Sequence, residues 1–162
     1  MIKANLLQVI EQAEREGTIE LDLSGQNLSI LPPEIGNLTQ LKKLILGKYQ
    51  YDENGNYIDI IGNNLRVFPV EIGLLNNLEE LQIAANQVSN LPSEIGQLTN
   101  LQSLHLSRNQ LRNLPSEIGQ LTNLQSLYLS VNQVSNLPSE IGQLTNLQSL
   151  HLSINQIGRA HV

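Results

Sequence analysis

The chain has 162 residues and no cysteine, which excludes a disulfide scaffold, a thiolate zinc site, an iron–sulfur cluster and a cysteine nucleophile. Its 9 basic and 15 acidic residues leave a net charge of −6, so the chain as a whole would repel a nucleic-acid backbone. Trp is absent, Phe68 is the one Phe and only 15% of residues are charged, so the core must be aliphatic and the skew points to a short pattern copied many times.

In chain order, the first element is a helix. Over residues 2–16, Ile2, Leu6, Val9, Ile10 and Ala13 share one face, Glu11, Glu14, Arg15 and Glu16 lie elsewhere, and Gly17 is a stop signal. Residues 1–17 are therefore expected to form an N-terminal capping helix over the open core of whatever follows. Its polar face is acidic, which argues against an anionic lipid surface. No apolar run approaches the ~20 residues of a membrane helix. No membrane partner is expected, and a cytoplasmic location is the expectation.

From residue 18 a period of 23 takes over. Residues 78–100 read LEELQIAANQVSNLPSEIGQLTN, residues 101–123 read LQSLHLSRNQLRNLPSEIGQLTN and residues 124–146 read LQSLYLSVNQVSNLPSEIGQLTN. Residues 18–40 fit the same template. Residues 41–77 fit once about 14 additional residues, at about 48–61, are set aside, and residues 147–157 form a partial unit before a tail at 158–162.

Each unit has a legible physical logic. In 101–106, Leu104 and Leu106 alternate with polar residues, the period of a strand with one face inward. An Asn follows at a fixed place: Asn63, Asn86, Asn109, Asn132 and Asn155. Repeated once per unit, it predicts a ladder of amides that bond to backbone groups otherwise buried and unpaired. The first unit has Gln26 in register, with Asn27 next, so the ladder is doubtful there. Pro115 then starts a turn, Glu117 sits in the first turn of a short helical or 3-10 segment, Ile118 points inward and Gly119 ends the turn, where a positive φ would suit glycine. About seven aliphatic groups per unit, each contributing roughly 1.5–3 kcal/mol when fully buried, cannot be covered by one unit alone. The units must stack. Strands stack more tightly than the segments opposite them, so the expected fold is an α/β solenoid arc with a parallel β-sheet on its concave face and short helical or 3-10 turns on its convex face.

The pattern L-x-x-L-x-L-x-x-N-x-L-x-x-L-P-x-E-I-G-x-L-T-N resembles the leucine-rich repeat over roughly residues 18–157. The Leu-Pro and Glu-Ile-Gly pieces resemble the short repeats of bacterial cytoplasmic proteins, and look most like those preceding the GTPase of Roco-type proteins. That likeness implies a repeat segment of a larger protein, docking on its neighbouring domain.

The insertion holds Tyr49, Tyr51 and Tyr57, with Asn54-Gly55 between tyrosine-bearing arms. This predicts a hairpin with a tight turn at the rim of the binding face. Asp52-x-Asn54-x-Asn56 resembles half of a calcium loop, but Tyr57 and Asn63 stand where that loop needs Gly and Glu.

Outward strand positions fall into columns: Glu20, Lys43, Glu80, Ser103, Ser126, Ser149; then Asp22, Ile45, Gln82, His105, Tyr128, His151; then Ser24, Gly47, Ala84, Ser107, Ser130, Ser153. The concave face is thus acidic in its first half and hydroxyl-rich in its second, with a His-Tyr-His row. His105 and His151, two strands apart, should be roughly 9–10 Å from each other. Zinc would need their nitrogens some 3–4 Å apart. The flanking serines have no ordered third group for a triad. There is no phosphate loop, G-x-S-x-G or H-E-x-x-H. Neither an enzyme nor a cofactor or metal is expected.

A curved outward-facing sheet suits a protein or peptide partner. The expected contacts are His105, Tyr128, His151, Arg108, Val131 and Gln82, with Tyr49, Tyr51 and Tyr57 at the rim. Residues 158–162 offer no closing helix, so self-association through the C-terminal end is a further expectation.

Overall fold

A computed structural model describes residues 3–157. Ile2, expected on the helix face, and the tail at 158–162 lie outside the described residues. Helix α1 spans Lys3–Glu16, and Leu6, Ile10 and Ala13 are buried in the same apolar cluster as Leu21, Leu23 and Leu28 of the first repeat. Gly17, at φ +61°, ends the helix, and its N–H donates to the Glu14 carbonyl at 3.2 Å.

Strands β1 (Glu20–Asp22), β2 (Lys43–Tyr51), β4 (Glu80–Ile83), β5 (Ser103–His105), β6 (Ser126–Tyr128) and β7 (Ser149–His151) pair in that order, all parallel. Strand β3 (Tyr57–Ile61) pairs antiparallel with the second half of β2. The registers reproduce the first two sequence columns, as in Glu80↔Ser103↔Ser126↔Ser149 and Gln82↔His105↔Tyr128↔His151. The third column breaks at Gly47, because a bulge between Ile45 and Gly47 sets Gly47 opposite Ile83 rather than Ala84. Nor is that column uniformly solvated, since Ala84 and Ser107 are buried.

Opposite the sheet, each Pro is followed by a single 3-10 segment: Pro33–Asn37, Val70–Leu74, Ser93–Gln97, Ser116–Gln120 and Ser139–Gln143. The Ile118 N–H reaches the Pro115 carbonyl at 3.1 Å and the Leu121 N–H reaches the Ile118 carbonyl at 3.2 Å. One expectation is corrected here. Gly119 does not adopt a positive φ; the residue is glycine because a Cβ would lie 2.7 Å from the Glu140 carbonyl oxygen of the next unit. Close approach of the convex turns, rather than a left-handed turn, sets that position.

The core is one continuous aliphatic column. In residues 101–123, Leu101, Leu104, Leu106, Leu111, Leu114, Ile118 and Leu121 are all buried. The asparagine ladder flanks it. Asn109 donates through Nδ2 to the carbonyls of Ile83 and Leu106 and accepts at Oδ1 from the Val88 N–H. Asn86, Asn132 and Asn155 make equivalent bonds. Asn63 of the second unit makes the same set, accepting at Oδ1 from the Leu28 N–H and donating through Nδ2 to the carbonyls of Leu23 and Leu46, and its Oδ1 also accepts from the Gln26 N–H.

Candidate functional site

The concave face is built by side chains that leave the sheet opposite the leucines. On β5, β6 and β7, in-register pairing places His105, Tyr128 and His151 side by side, with Gln82 of β4 continuing the row. The rings stack face to face. Centroids are 4.2 Å apart for His105 and Tyr128 at an interplanar angle of 19°, and 4.6 Å apart for Tyr128 and His151 at 16°. This spacing follows from the strand separation, so the backbone ladder itself holds the rings parallel. His105 and His151 lie on opposite sides of Tyr128, an arrangement that holds their nitrogens apart from any shared metal.

A polar network fixes one end of the row. His105 Nε2 lies 2.9 Å from Ser103 Oγ, Lys43 Nζ lies 3.3 Å from a Glu80 carboxylate oxygen, and Gln82 Nε2 donates to the other Glu80 oxygen. Burial lowers the His105 pKa below its ordinary 6.5; Glu80 opposes the shift, while Lys43 and His151 add to it. The shift favours the neutral form of His105. Further along the face, Lys48 donates to the Asp22 carboxylate. Burial raises the Asp22 carboxyl, but the hydrogen bonds from Lys48 and Ser24 outweigh it and the net shift is downward.

Arg108 and Val131 stand just past the ends of β5 and β6, in line with Ala85 and Ile154. All four have left-handed backbones: φ is +53° at Ala85, +57° at Arg108, +60° at Val131 and +56° at Ile154. For Val and Ile this conformation is costly, roughly 1–2 kcal/mol each. Val131 is half-buried and Ile154 is 73% exposed.

The insertion tyrosines do not join that row. They form a cluster of their own on the hairpin of β2 and β3. The Tyr49 and Tyr57 ring centroids are 6.0 Å apart and those of Tyr51 and Tyr57 6.4 Å, both edge-on. The hairpin and its tight turn fall where expected. Only Gly55 has a positive φ, +81°, and its N–H donates to the Asp52 carbonyl at 3.0 Å, so the loop is a three-residue turn with a left-handed glycine. The Asp52 carboxylate that suggested half a calcium loop instead accepts from the N–H groups of Asn54 and Asn56. Those bonds hold its pKa below the ordinary carboxylate value.

A second amide ladder escaped the sequence reading. Asn77, Asn100, Asn123 and Asn146 each donate to a carbonyl of the preceding unit: Thr39, Asn76, Thr99 and Thr122. With Gln102 and Gln125 they line a polar groove of about 550 Å³ at the other edge of the sheet. The signal was present as an Asn closing four successive units, after Thr in three of them, but an exposed Asn carries no burial cue to separate it from a loop residue.

A family described as a leucine-rich repeat region matches residues 56–157, and a second leucine-rich repeat family matches residues 18–38. A Leptospira interrogans leucine-rich repeat protein is 39% identical, with a TM-score of 0.69, over 91% of this chain and 40% of its own. The leucine-rich repeat ectodomain of the Arabidopsis thaliana receptor kinase GASSHO1/SCHENGEN3, solved in complex with Casparian strip integrity factor 2, is 39% identical over 90% of this chain and 17% of its own, with a TM-score of 0.71. An internalin from Listeria monocytogenes is 30% identical over 79% and 33%, with a TM-score of 0.62. No curated protein matches the chain. The fold and these likenesses define a leucine-rich repeat solenoid, and the chain belongs to the leucine-rich repeat family. It spans less than half the length of each of these solved structures. The fold is a general protein–protein interaction module, and no catalytic family is indicated. Among the described residues, no helix is long and apolar enough to cross a membrane.

Proposed function

We propose that the chain is a protein-interaction module whose concave sheet receives a protein or peptide partner along the row Gln82, His105, Tyr128 and His151, with Arg108 and Val131 at its edge. The observation that carries this reading is the three-ring stack, supported from below by a hydrogen-bonded sheet and open above. Aromatic side chains already fixed in position lose little entropy on binding and make good anchors. The plant ectodomain solved with its bound factor lends support by likeness.

Pull-downs from the source organism with wild type, Tyr128→Ala and Gln120→Ala test it. Gln120 is exposed on the convex side. The expected result is a partner kept by Gln120→Ala and lost by Tyr128→Ala. A partner kept by Tyr128→Ala and lost by Gln120→Ala would reverse the reading.

A second reading, a repeat segment docking on a neighbouring domain as in Roco-type proteins or on another copy, is favoured by the C-terminal side of the last unit. Leu150, Ile154 and Ile157 are exposed there, and Gly142, unlike its equivalents, has nothing within 4 Å of a Cβ position. Sedimentation of the chain as a strict monomer at high concentration would remove the self-association form of this reading.

A further inference from the structure

The hairpin is built as a rigid platform. Its turn is tied by the Asp52 carboxylate, which accepts from two N–H groups and from Asn56 Nδ2. Its base is wedged against the next repeat: a Cβ would lie 1.7 Å from the Ala84 carbonyl oxygen at Gly47 and 1.6 Å from that of Ala85 at Gly62. Lys48 ties it to Asp22 of the first repeat. A tolerated decoration needs none of this order.

What the platform displays is aromatic. Tyr51 faces Tyr57 and Tyr49 faces Ile60 across the strand pair, so these four share one side. Tyr51 is 60% exposed and Tyr57 53%, with Ile58 beside them at 60%. Strand addition is not the mode that suits this element, because Asp59 Oδ1 occupies the Ile60 N–H at 2.8 Å. That leaves the face.

Its charge selects the occupant. Asp52, Glu53 and Asp59 lie on the hairpin, and Lys48, its one cation, is already paired with Asp22. Asp52 and Glu53 directly follow Tyr51 in the chain, beside the Tyr51–Tyr57 pair. Electron-rich ring faces next to carboxylates attract a guanidinium, which stacks on the ring and bonds to the acid at once. An acidic segment would be repelled.

We propose that the Tyr49–Tyr51–Tyr57 face of the hairpin binds an arginine-bearing peptide segment of a partner protein. This surface is independent of the concave row, and either can fail without the other.

The test titrates the full chain with three labelled heptapeptides, Gly-Ser-Arg-Gly-Arg-Ser-Gly and its lysine and glutamine counterparts, at low and at physiological salt. The arginine peptide should bind about fivefold or more tighter than the glutamine peptide, with lysine between them. Tyr51→Ala/Tyr57→Ala should abolish the difference, Glu53→Gln should reduce it, and Tyr51→Phe/Tyr57→Phe, which keeps the ring faces, should preserve it. Tyr128→Ala on the concave face should leave it intact. Equal affinity for all three peptides would overturn the proposal. So would an arginine preference that survives Tyr51→Ala/Tyr57→Ala, or that arginine and lysine share equally and salt removes, because net charge alone would then account for it.

Discussion

Asn109 bonds to backbone groups from two units with one amide, and the Ile83 and Leu106 carbonyls each accept from a second amide, Asn86 and Asn132. Asn109→Ala leaves the buried Val88 N–H without its partner and removes one of two amide donors from the Ile83 and Leu106 carbonyls, so it should cost about 2 kcal/mol in urea unfolding. Asn123→Ala, on the exposed ladder where water substitutes, should cost about 1 kcal/mol. Equal costs would mean that burial does not set the ladder's weight. Val131 tells the opposite story. It sits at φ +60°, where a β-branched residue is strained, so Val131→Gly should raise stability by about 0.5–1 kcal/mol while weakening partner binding. If glycine there is destabilising, the backbone at Val131 is not strained as described. Sequence alone could show that an Asn recurs at one place per unit, because its identity is the signal. The left-handed backbone at Arg108, Val131 and Ile154 left no trace in residue identity, since of the two glycines among their counterparts Gly25 adopts that conformation and Gly62 does not.

At the scale of the elements, the convex turns offer a built-in control. Gly119 packs against the Glu140 backbone, whereas Gly142 has open space at the same position of its unit. Gly119→Ala should therefore destabilise by about 1–3 kcal/mol, from overpacking against a backbone that must shift. Gly142→Ala should be neutral or slightly stabilising, within about 1 kcal/mol. Thermal unfolding of the pair decides it, and matched losses would refute the packing account.

The ring row makes a pH prediction. His105 is held below 6.5 by burial, so the folded state favours its neutral form. Its contribution is complete above 6.5 and is lost as the pH falls below that value, where the unfolded chain takes up the proton first. Stability should decline as the pH falls below 6.5, and His105→Gln should flatten that decline. An unchanged slope in His105→Gln would show that the ring is not desolvated. The His-Tyr-His alignment was legible from spacing, because a 23-residue period maps equivalent positions onto neighbouring strands. The bulge at Gly47 and the burial of Ser107 were not, because each depends on how the insertion and the neighbouring units pack.

For the molecule as a whole, the repeat dictates the architecture and the departures from it carry the candidate contacts. Copied leucines and asparagines build the same shelf in each unit, and what differs is set upon it: the stacked rings on β5 to β7, the strained edge and the tyrosine hairpin. On this reading a partner lies along the stacked rings. Photo-cross-linking from an engineered side chain at position 128, compared with position 120 on the convex side, tests it most directly in a lysate of the source organism. One defined adduct is expected from position 128 and none from position 120. An adduct formed from position 120 but not from 128 would contradict it.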